Sequence, residues 1–351
     1  MALQYFQSEV WSSSILSALS QSAVYAGAPC SNRDYEGDIT AEGDTVHINS
    51  ISDPTISTYT KDTNLSDPEA LTDAEQQLVI DQAKSFNFQI DDIDKAQIRN
   101  SGALMTEATQ RAAWGLRDVA DKYVANKMAL AAASLGLIDG STATNVYDKL
   151  IVPAGVALDE ANVPEEMRWM VISPAAFGKL RLDSRFILAS EAGNADGLHN
   201  GLIGMAGGFR LYKSNNAPQA NRAITTTIAV ATTAKTLTSA TQVFTQGDVG
   251  LVVAGTNITT GTTIASVNAA GTVATMSAVG TSAANQTDTV ISGGGKLAIA
   301  GSSIANSFAQ QILEVVAYKP EKRFGDALKG LFVYGSKVTR PTALVVAAVK
   351  S

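Results

Sequence analysis

The sequence contains few of the residues from which active sites and disulfide frameworks are built. It has one cysteine, Cys30, and two histidines, His47 and His199, among 351 residues. A single cysteine excludes an intramolecular disulfide and suits a reducing compartment. The histidines are far apart, and His47 falls on the polar side of a predicted strand, so they indicate no catalytic or metal-binding pair. We therefore expect no catalytic residues, no metal and no cofactor, and predict that the protein is not an enzyme.

Long apolar segments and clusters of positive charge are also absent. No window offers the roughly 18 uninterrupted apolar residues of a membrane span, and the N-terminus lacks the basic region and continuous apolar stretch of a signal peptide. We therefore expect that the protein is made in a cytoplasm and does not associate with a membrane. The net charge is −7 and the basic residues form no run longer than Lys322-Arg323, which argues against a sequence-independent grip on nucleic acid. Only 17% of the residues are charged, against about 25% in typical soluble proteins, which predicts a surface partly covered by other subunits.

The first ninety residues predict an arm followed by a long hairpin. Apolar residues within Ser8–Tyr25 loosely fit an amphipathic helix, which would form an N-terminal arm. Apolar and polar residues alternate over 44–50, which predicts a strand. The polar stretch 52–74 leads to a returning strand that contains Leu78 and Ile80. Loops of this length are uncommon in compact domains and are usually functional.

Three aspartates, Asp91, Asp92 and Asp94, follow a strand in which Phe86 and Phe88 alternate with polar residues. A calcium loop would need further oxygen ligands at regular positions and a glycine for its turn, and the sequence supplies neither. We interpret the aspartates as acidic residues that favour the N-terminus of the following helix.

Residues 104–135 carry the strongest helix signal, with no proline and one internal glycine. About 32 residues at a rise of about 1.5 Å span roughly 48 Å, which is long enough for a spine through the subunit. Gly136 and Asp139-Gly140 are expected to end it. Three pairs of opposite charge, four residues apart, are predicted on its exposed side: Glu107/Arg111, Arg117/Asp121 and Asp118/Lys122.

The region 145–220 alternates helix and strand signals. It predicts a helix over 146–161, weakened by Pro153, a buried strand over 169–172, and a further helix capped by Ser173. Ser173 lacks the glycine-flanked elbow of a nucleophilic serine, so we interpret it as a cap.

The composition changes abruptly at Asn221. Nineteen threonines and one aromatic residue lie between Ile224 and Val290, in short apolar runs separated by glycine and asparagine turns. This pattern predicts a small inserted all-β domain over 222–300, whose two ends lie close together. The last segment, 335–349, predicts a long apolar strand that must be docked into a sheet.

Taken in order, five segments and the long helix resemble one family: the major capsid, or coat, proteins of tailed bacteriophages with the Hong Kong 97-type fold, particularly the short-tailed phage branch. The likeness covers about residues 1–220 and 300–351. The segments that carry it are Gly43–Ile48, Leu78–Gln82, Phe86–Asp94, Arg168–Pro174 and Gly335–Leu344.

The resemblance implies an α+β capsid fold with an inserted small all-β domain. Its expected parts are an N-terminal arm (1–42), an extended loop or E-loop hairpin (43–90), a peripheral domain with the spine helix (91–143, completed by 320–351), an axial domain (144–221 and 301–319) and the inserted Thr/Gly-rich β domain (222–300). The insert matches by position alone, so bracing of neighbours, an aid to folding and outward decoration all stay open as its role.

The implied function is that of a structural subunit that assembles with itself, as hexamers and pentamers, into an icosahedral shell around double-stranded DNA. The shell would be part of the virion, assembled in the host bacterial cytoplasm, with portal, scaffolding or decoration proteins as further partners and DNA packaged without sequence-specific binding. A thin extended loop cannot bury its own apolar residues. We therefore predict that Ile48, Ile51 and Ile56 form inter-subunit contacts.

Two other functions are compatible with parts of the sequence. A β-rich decoration or receptor-binding protein would account for the Thr-rich segment but leaves the long helix without a role. A cellular nanocompartment shell of the same fold would account for the whole chain, and packaged DNA in purified particles would exclude it.

Overall fold

The computed structural model describes residues 23–34, 45–51, 56, 58, 61, 73–91, 101–184, 204–231, 235–322 and 324–350. The helices are α1 Ser101–Ala131, α2 Ala143–Val146, α3 Val152–Glu160 and α4 Pro174–Leu180, with a π-helical turn Tyr147–Ile151 between α2 and α3. The strands are β1 Thr45–Ile51, β2 Asp73–Val79, β3 Gln82–Asp91, β4 Ala133–Asp139, β5 Arg168–Ile172, β6 Met205–Ala206, β7 Phe209–Lys213, β8 Arg222–Ile224, β9 Ile228–Val230, β10 Thr236–Ser239, β11 Val252–Ala254, β12 Ile264–Val267, β13 Val273–Met276, β14 Asn285–Gln286, β15 Thr289–Ser292, β16 Lys296–Ser302, β17 Asn306–Tyr318, β18 Gly325–Val338 and β19 Leu344–Lys350.

A six-stranded sheet in the order β4-β19-β16-β5-β7-β6 forms the centre of the subunit. Every residue of β5 is buried, and so are the first six residues of β19, because both strands lie inside the sheet. The C-terminal strand is therefore docked, as its apolar sequence predicts. The prediction of one strand over 335–349 is wrong, however, because β18 ends at Val338 and a 3-10 turn, Pro341–Ala343, precedes β19. Pro341 has no N–H for a ladder hydrogen bond, which explains the break.

The long helix α1 packs against a second, antiparallel sheet in the order β17-β18-β3. The helix ends at Ala131, four residues before the predicted end, because Ala133–Asp139 forms β4 and pairs in parallel with β19. Tertiary pairing thus overrides the helical propensity of this alanine- and leucine-rich segment. Pro153 does not interrupt the predicted second helix either. The π turn just before it closes with a hydrogen bond from the Val152 N–H to the Tyr147 carbonyl, and the helical run continues.

The Thr-rich segment folds into two small antiparallel sheets, β12-β13-β10-β9-β14 and β11-β15-β8. Its ends lie side by side, as predicted: Gln219 forms a bridge with Lys296, and the Ala220 N–H donates to the Gly295 carbonyl at 2.8 Å. The segment 320–351, which the resemblance places in one domain with the long helix, contributes to two sheets. Strand β18 pairs with β17 and β3, whereas β19 pairs with β16 and β4.

Candidate assembly surfaces

The first two described strands form a separate two-stranded ribbon. Strands β1 and β2 pair antiparallel from Thr45 opposite Val79 to Ile51 opposite Asp73, so the predicted hairpin is present. Beyond it, Ile56 is 97% exposed within the single chain. Ile48 and Ile51 lie on the β1 backbone, but their side chains are outside the described part of the structure. A lone two-stranded ribbon is marginally stable in water, which makes this element a candidate for cover by another molecule.

Buried apolar contacts hold the root of the ribbon. Leu78 and Ile80 are completely or almost completely buried, and they form a small cluster with Ala309 and Val333 from the β17-β18-β3 sheet. The sequence predicted that Leu78 and Ile80, two residues apart, lie on one face of the returning strand, and their common burial agrees with this. Gly335 allows the close approach, because a Cβ at that position would lie 2.5 Å from the Val79 carbonyl oxygen.

Polar contacts to the long helix fix the turn between β2 and β3. The Tyr123 hydroxyl donates to the Asp81 carboxylate at 2.5 Å, and the Lys127 ammonium lies 3.8 Å from the same carboxylate. Burial, followed by the hydrogen bond to Asp81, raises the pKa of Tyr123 well above its usual value. The ribbon is thus anchored to both the sheet and the helix.

A buried carboxylate on the long helix anchors the N-terminal part of the described chain. One oxygen of Asp121 accepts hydrogen bonds from the N–H groups of Val24, Tyr25 and Ala26 at 3.0, 2.7 and 3.1 Å. Its other oxygen accepts from the Asn216 side-chain amide at 3.0 Å. The predicted exposed pair of Arg117 with Asp121 is therefore wrong, since Asp121 is 2% exposed. Backbone N–H groups solvate this carboxylate in place of water.

The other two predicted helix pairs are confirmed at the helix surface. Arg111 lies 2.7 Å from Glu107, and Lys122 lies 2.6 Å from Asp118. The four-residue spacing cannot distinguish these exposed pairs from the buried Asp121, because the burial of Asp121 depends on residues about 95 positions away in the sequence.

A bidentate ion pair lies within the Thr-rich segment, at the place where the segment meets the body. The Arg222 guanidinium donates to both oxygens of Asp248 at 2.6 Å, and Asp248 is fully buried. Asp248 also accepts from the Thr245 N–H at 2.7 Å. The 3-10 turn Gln246–Asp248 contacts α1, β4 and β19, so this pair lies where the two small sheets meet the central sheet.

The other sequence-predicted positions are structural where the structure describes them. The Ser173 hydroxyl accepts from the Ala176 N–H at 3.3 Å, as the predicted N-cap of α4. Asp91 is the last residue of β3 and pairs with Gly325, while Asp92 and Asp94 are outside the described residues. Cys30 is buried, and burial raises the pKa of its thiol.

Two clefts among the described residues do not bring together the components of a catalytic site. A cleft of about 340 Å³ is lined by Ser85, Phe86, Lys329 and Leu331 among others. A second, of about 380 Å³, is lined by residues that include Arg222, whose guanidinium is already paired with Asp248. The described His, Cys, Asp and Glu side chains form no group of three that would hold a metal ion. Of the helices that the structure describes, none is long and apolar enough to cross a membrane.

Comparison with solved structures identifies similar folds. A structure from Mycobacterium phage Che8 matches with a TM-score of 0.61 and 25% identity, covering 93% of this chain and 91% of that chain. The capsid of cyanophage P-SCSP1u matches with a TM-score of 0.55 and 18% identity, covering 89% and 85%. The mature capsid of bacteriophage PhiM1 matches with a TM-score of 0.54 and 13% identity, covering 91% and 87%.

No protein-family model and no curated protein matches the chain. The structural matches nevertheless cover about nine-tenths of it. The chain therefore has the mixed α+β fold of phage capsid structures, and the predicted fold class is confirmed at this level.

Proposed function

We propose that the chain is the major capsid protein of a tailed bacteriophage and assembles with itself into an icosahedral shell around double-stranded DNA. The observation that carries the proposal is the structural match over nine-tenths of the chain, at a TM-score of 0.61 and 25% identity to the Che8 structure. The role is structural and non-enzymatic, and the protein is a component of the virion. Assembly takes place in the host cytoplasm, with a portal protein and scaffolding or decoration proteins as further partners and DNA held without sequence-specific contacts.

The parts of a Hong Kong 97-type subunit are assigned as follows in this proposal. The ribbon β1–β2 is the extended loop, α1 is the spine helix of a peripheral domain that includes the β17-β18-β3 sheet, and the six-stranded sheet belongs to an axial domain. The two small sheets of 222–292 are a domain inserted into the axial domain. The adjacent ends of this segment support the assignment, because an inserted domain must enter and leave at one place.

The ribbon supplies the physical reason for assembly. Its root is fixed to the sheet and to α1, whereas its two strands have no third strand among the described residues. Two strands do not make a stable sheet in water, and a neighbouring subunit would cover the apolar side chains that the ribbon cannot bury. Ile48, Ile51 and Ile56 are the proposed contacts.

Expression of the chain with electron microscopy of the product tests the proposal, with closed shells or curved sheets as the expected result. Ile56→Ser should weaken assembly while leaving the unfolding free energy of the free subunit unchanged. Val279→Ser is the matched control, because Val279 is also exposed, at 43%, but belongs to the Thr-rich segment and not to the ribbon. Persistent monomers at high concentration, with and without a co-expressed scaffolding protein, would contradict the proposed function. Equal assembly of the Ile56 and Val279 variants would contradict the assignment of the ribbon contact.

A further inference from the structure

The long helix has one stripe of side chains that is buried along its C-terminal half, and an exposed tryptophan lies further along the same stripe. Asp121, Ala125, Met128 and Ala132 lie on one side of the C-terminal half of α1 and its end, and all are buried. Trp114 is seven residues before Asp121, which places it about 20° around the helix and about 10.5 Å along it, on the same stripe. Trp114 is nevertheless 58% exposed. The covered part of the stripe therefore ends at Asp121, about two turns short of Trp114.

At Asp121, the chain that covers the stripe arrives from the N-terminus. Asp121 holds the N–H groups of Val24, Tyr25 and Ala26, so residue 23 lies beside α1 at the place where the cover ends. The 22 residues before it need to cross about 10.5 Å to reach Trp114. An extended chain covers about 3.3 Å per residue, so about four residues are enough.

The composition of residues 1–22 suits this surface. The segment contains no lysine or arginine and a single carboxylate, Glu9. On the helix, the Arg117 guanidinium lies over the Trp114 ring, 5.7 Å from its centroid, and makes no salt bridge with a described residue. The apolar side chains that the segment offers are Leu3, Tyr5, Phe6, Val10, Trp11, Ile15, Leu16 and Leu19.

We propose that residues 1–22 of the same chain dock along α1 from Asp121 toward its N-terminus and cover Trp114. The occupant is the chain's own segment rather than a neighbour's, because its tethered end is already fixed two turns away. Tethering gives a short segment a millimolar effective concentration at this surface. The docking continues the contact that Asp121 makes with Val24–Ala26.

Quenching of tryptophan fluorescence by iodide in the free, unassembled subunit tests the proposal. In a Trp11→Phe background, the remaining tryptophans are Trp114 and the buried Trp169. Deletion of residues 2–22 should raise the quenching constant severalfold. The same deletion in a chain that also carries Trp114→Phe should leave quenching unchanged, since only Trp169 then reports. Equal quenching of the full-length and truncated chains would overturn the proposal.

A second set of variants keeps the full chain in case the truncation does not fold. Ile15→Ser, Leu16→Ser and Leu19→Ser together should increase quenching of Trp114, while the polar control Gln21→Ser should not. Protection of Trp114 that appears only after assembly would show that a neighbour's segment is the occupant, and would also overturn the proposal. Because the measurement uses free subunits, its outcome is independent of whether shells form.

Discussion

Replacing Asp121 with alanine should detach the N-terminal part of the chain from the long helix. The carboxylate accepts four hydrogen bonds, at 2.7 to 3.1 Å, from three consecutive backbone N–H groups and one side-chain amide. A hydrogen bond to a charged group contributes about 1.5–3 kcal/mol, and a buried donor left without a partner costs about 1–3 kcal/mol. The four bonds share one carboxylate and are not additive, so we expect a loss of about 3–5 kcal/mol in unfolding free energy. Asp121→Asn keeps one acceptor oxygen and should lose about half as much.

Urea unfolding of the free subunit measures the loss, and Asp118 on the same helix provides the matched control. Asp118 pairs with Lys122, whose side chain is 54% exposed, and such surface pairs contribute less than about 1 kcal/mol. Asp118→Ala should therefore cost little. In hydrogen exchange, the amides of residues 24–26 should lose protection in Asp121→Ala even under native conditions. If the two alanine variants lose equal stability, or if those amides stay protected, the carboxylate is not the anchor.

Three further predictions concern other buried or closely packed residues. Arg222→Met leaves the buried Asp248 carboxylate without its partner and should cost about 3–5 kcal/mol, measured by urea unfolding; a loss below about 1 kcal/mol would contradict this. Gly335→Ala places a Cβ 2.5 Å from a carbonyl oxygen at the ribbon root and should destabilise the subunit. The control Gly178→Ala has open space around it in α4 and should stabilise the subunit by up to about 1 kcal/mol. Equal thermal midpoints of the two variants would refute the argument. Burial raises the pKa of Tyr334 to about 12, so its contribution to stability is complete below pH 10 and is lost as the pH rises toward 12; Tyr334→Phe should reduce this alkaline loss, and an unchanged stability profile between pH 9 and 12 would contradict it.

Local patterns in the sequence were enough to predict elements whose burial depends on their own periodicity. Leu78 and Ile80 are two residues apart in a predicted strand and are both buried, and Ser173 followed by a proline caps a helix. The change of composition after Asn221 correctly marked a separate set of strands, since threonine- and valine-rich runs divided by glycine favour short strands.

The sequence was less informative where a long-range partner decides the conformation. Residues 133–135 read as the end of a helix and instead form an edge strand, because β19 offers a parallel partner more than 200 positions away. Asp121 lies four positions after Arg117, which predicted an exposed ion pair. It is instead buried under a chain segment about 95 positions earlier.

The sequence by itself thus determined several of the strands, most of the long helix and the absence of a recognisable catalytic motif, because these depend on residues close together in the chain. Only the tertiary structure decided which carboxylates are buried, where the long helix ends and the next strand begins, and which side of the helix is left uncovered. Those outcomes depend on distant backbone groups meeting in one place, where desolvation and hydrogen bonding outweigh local preference.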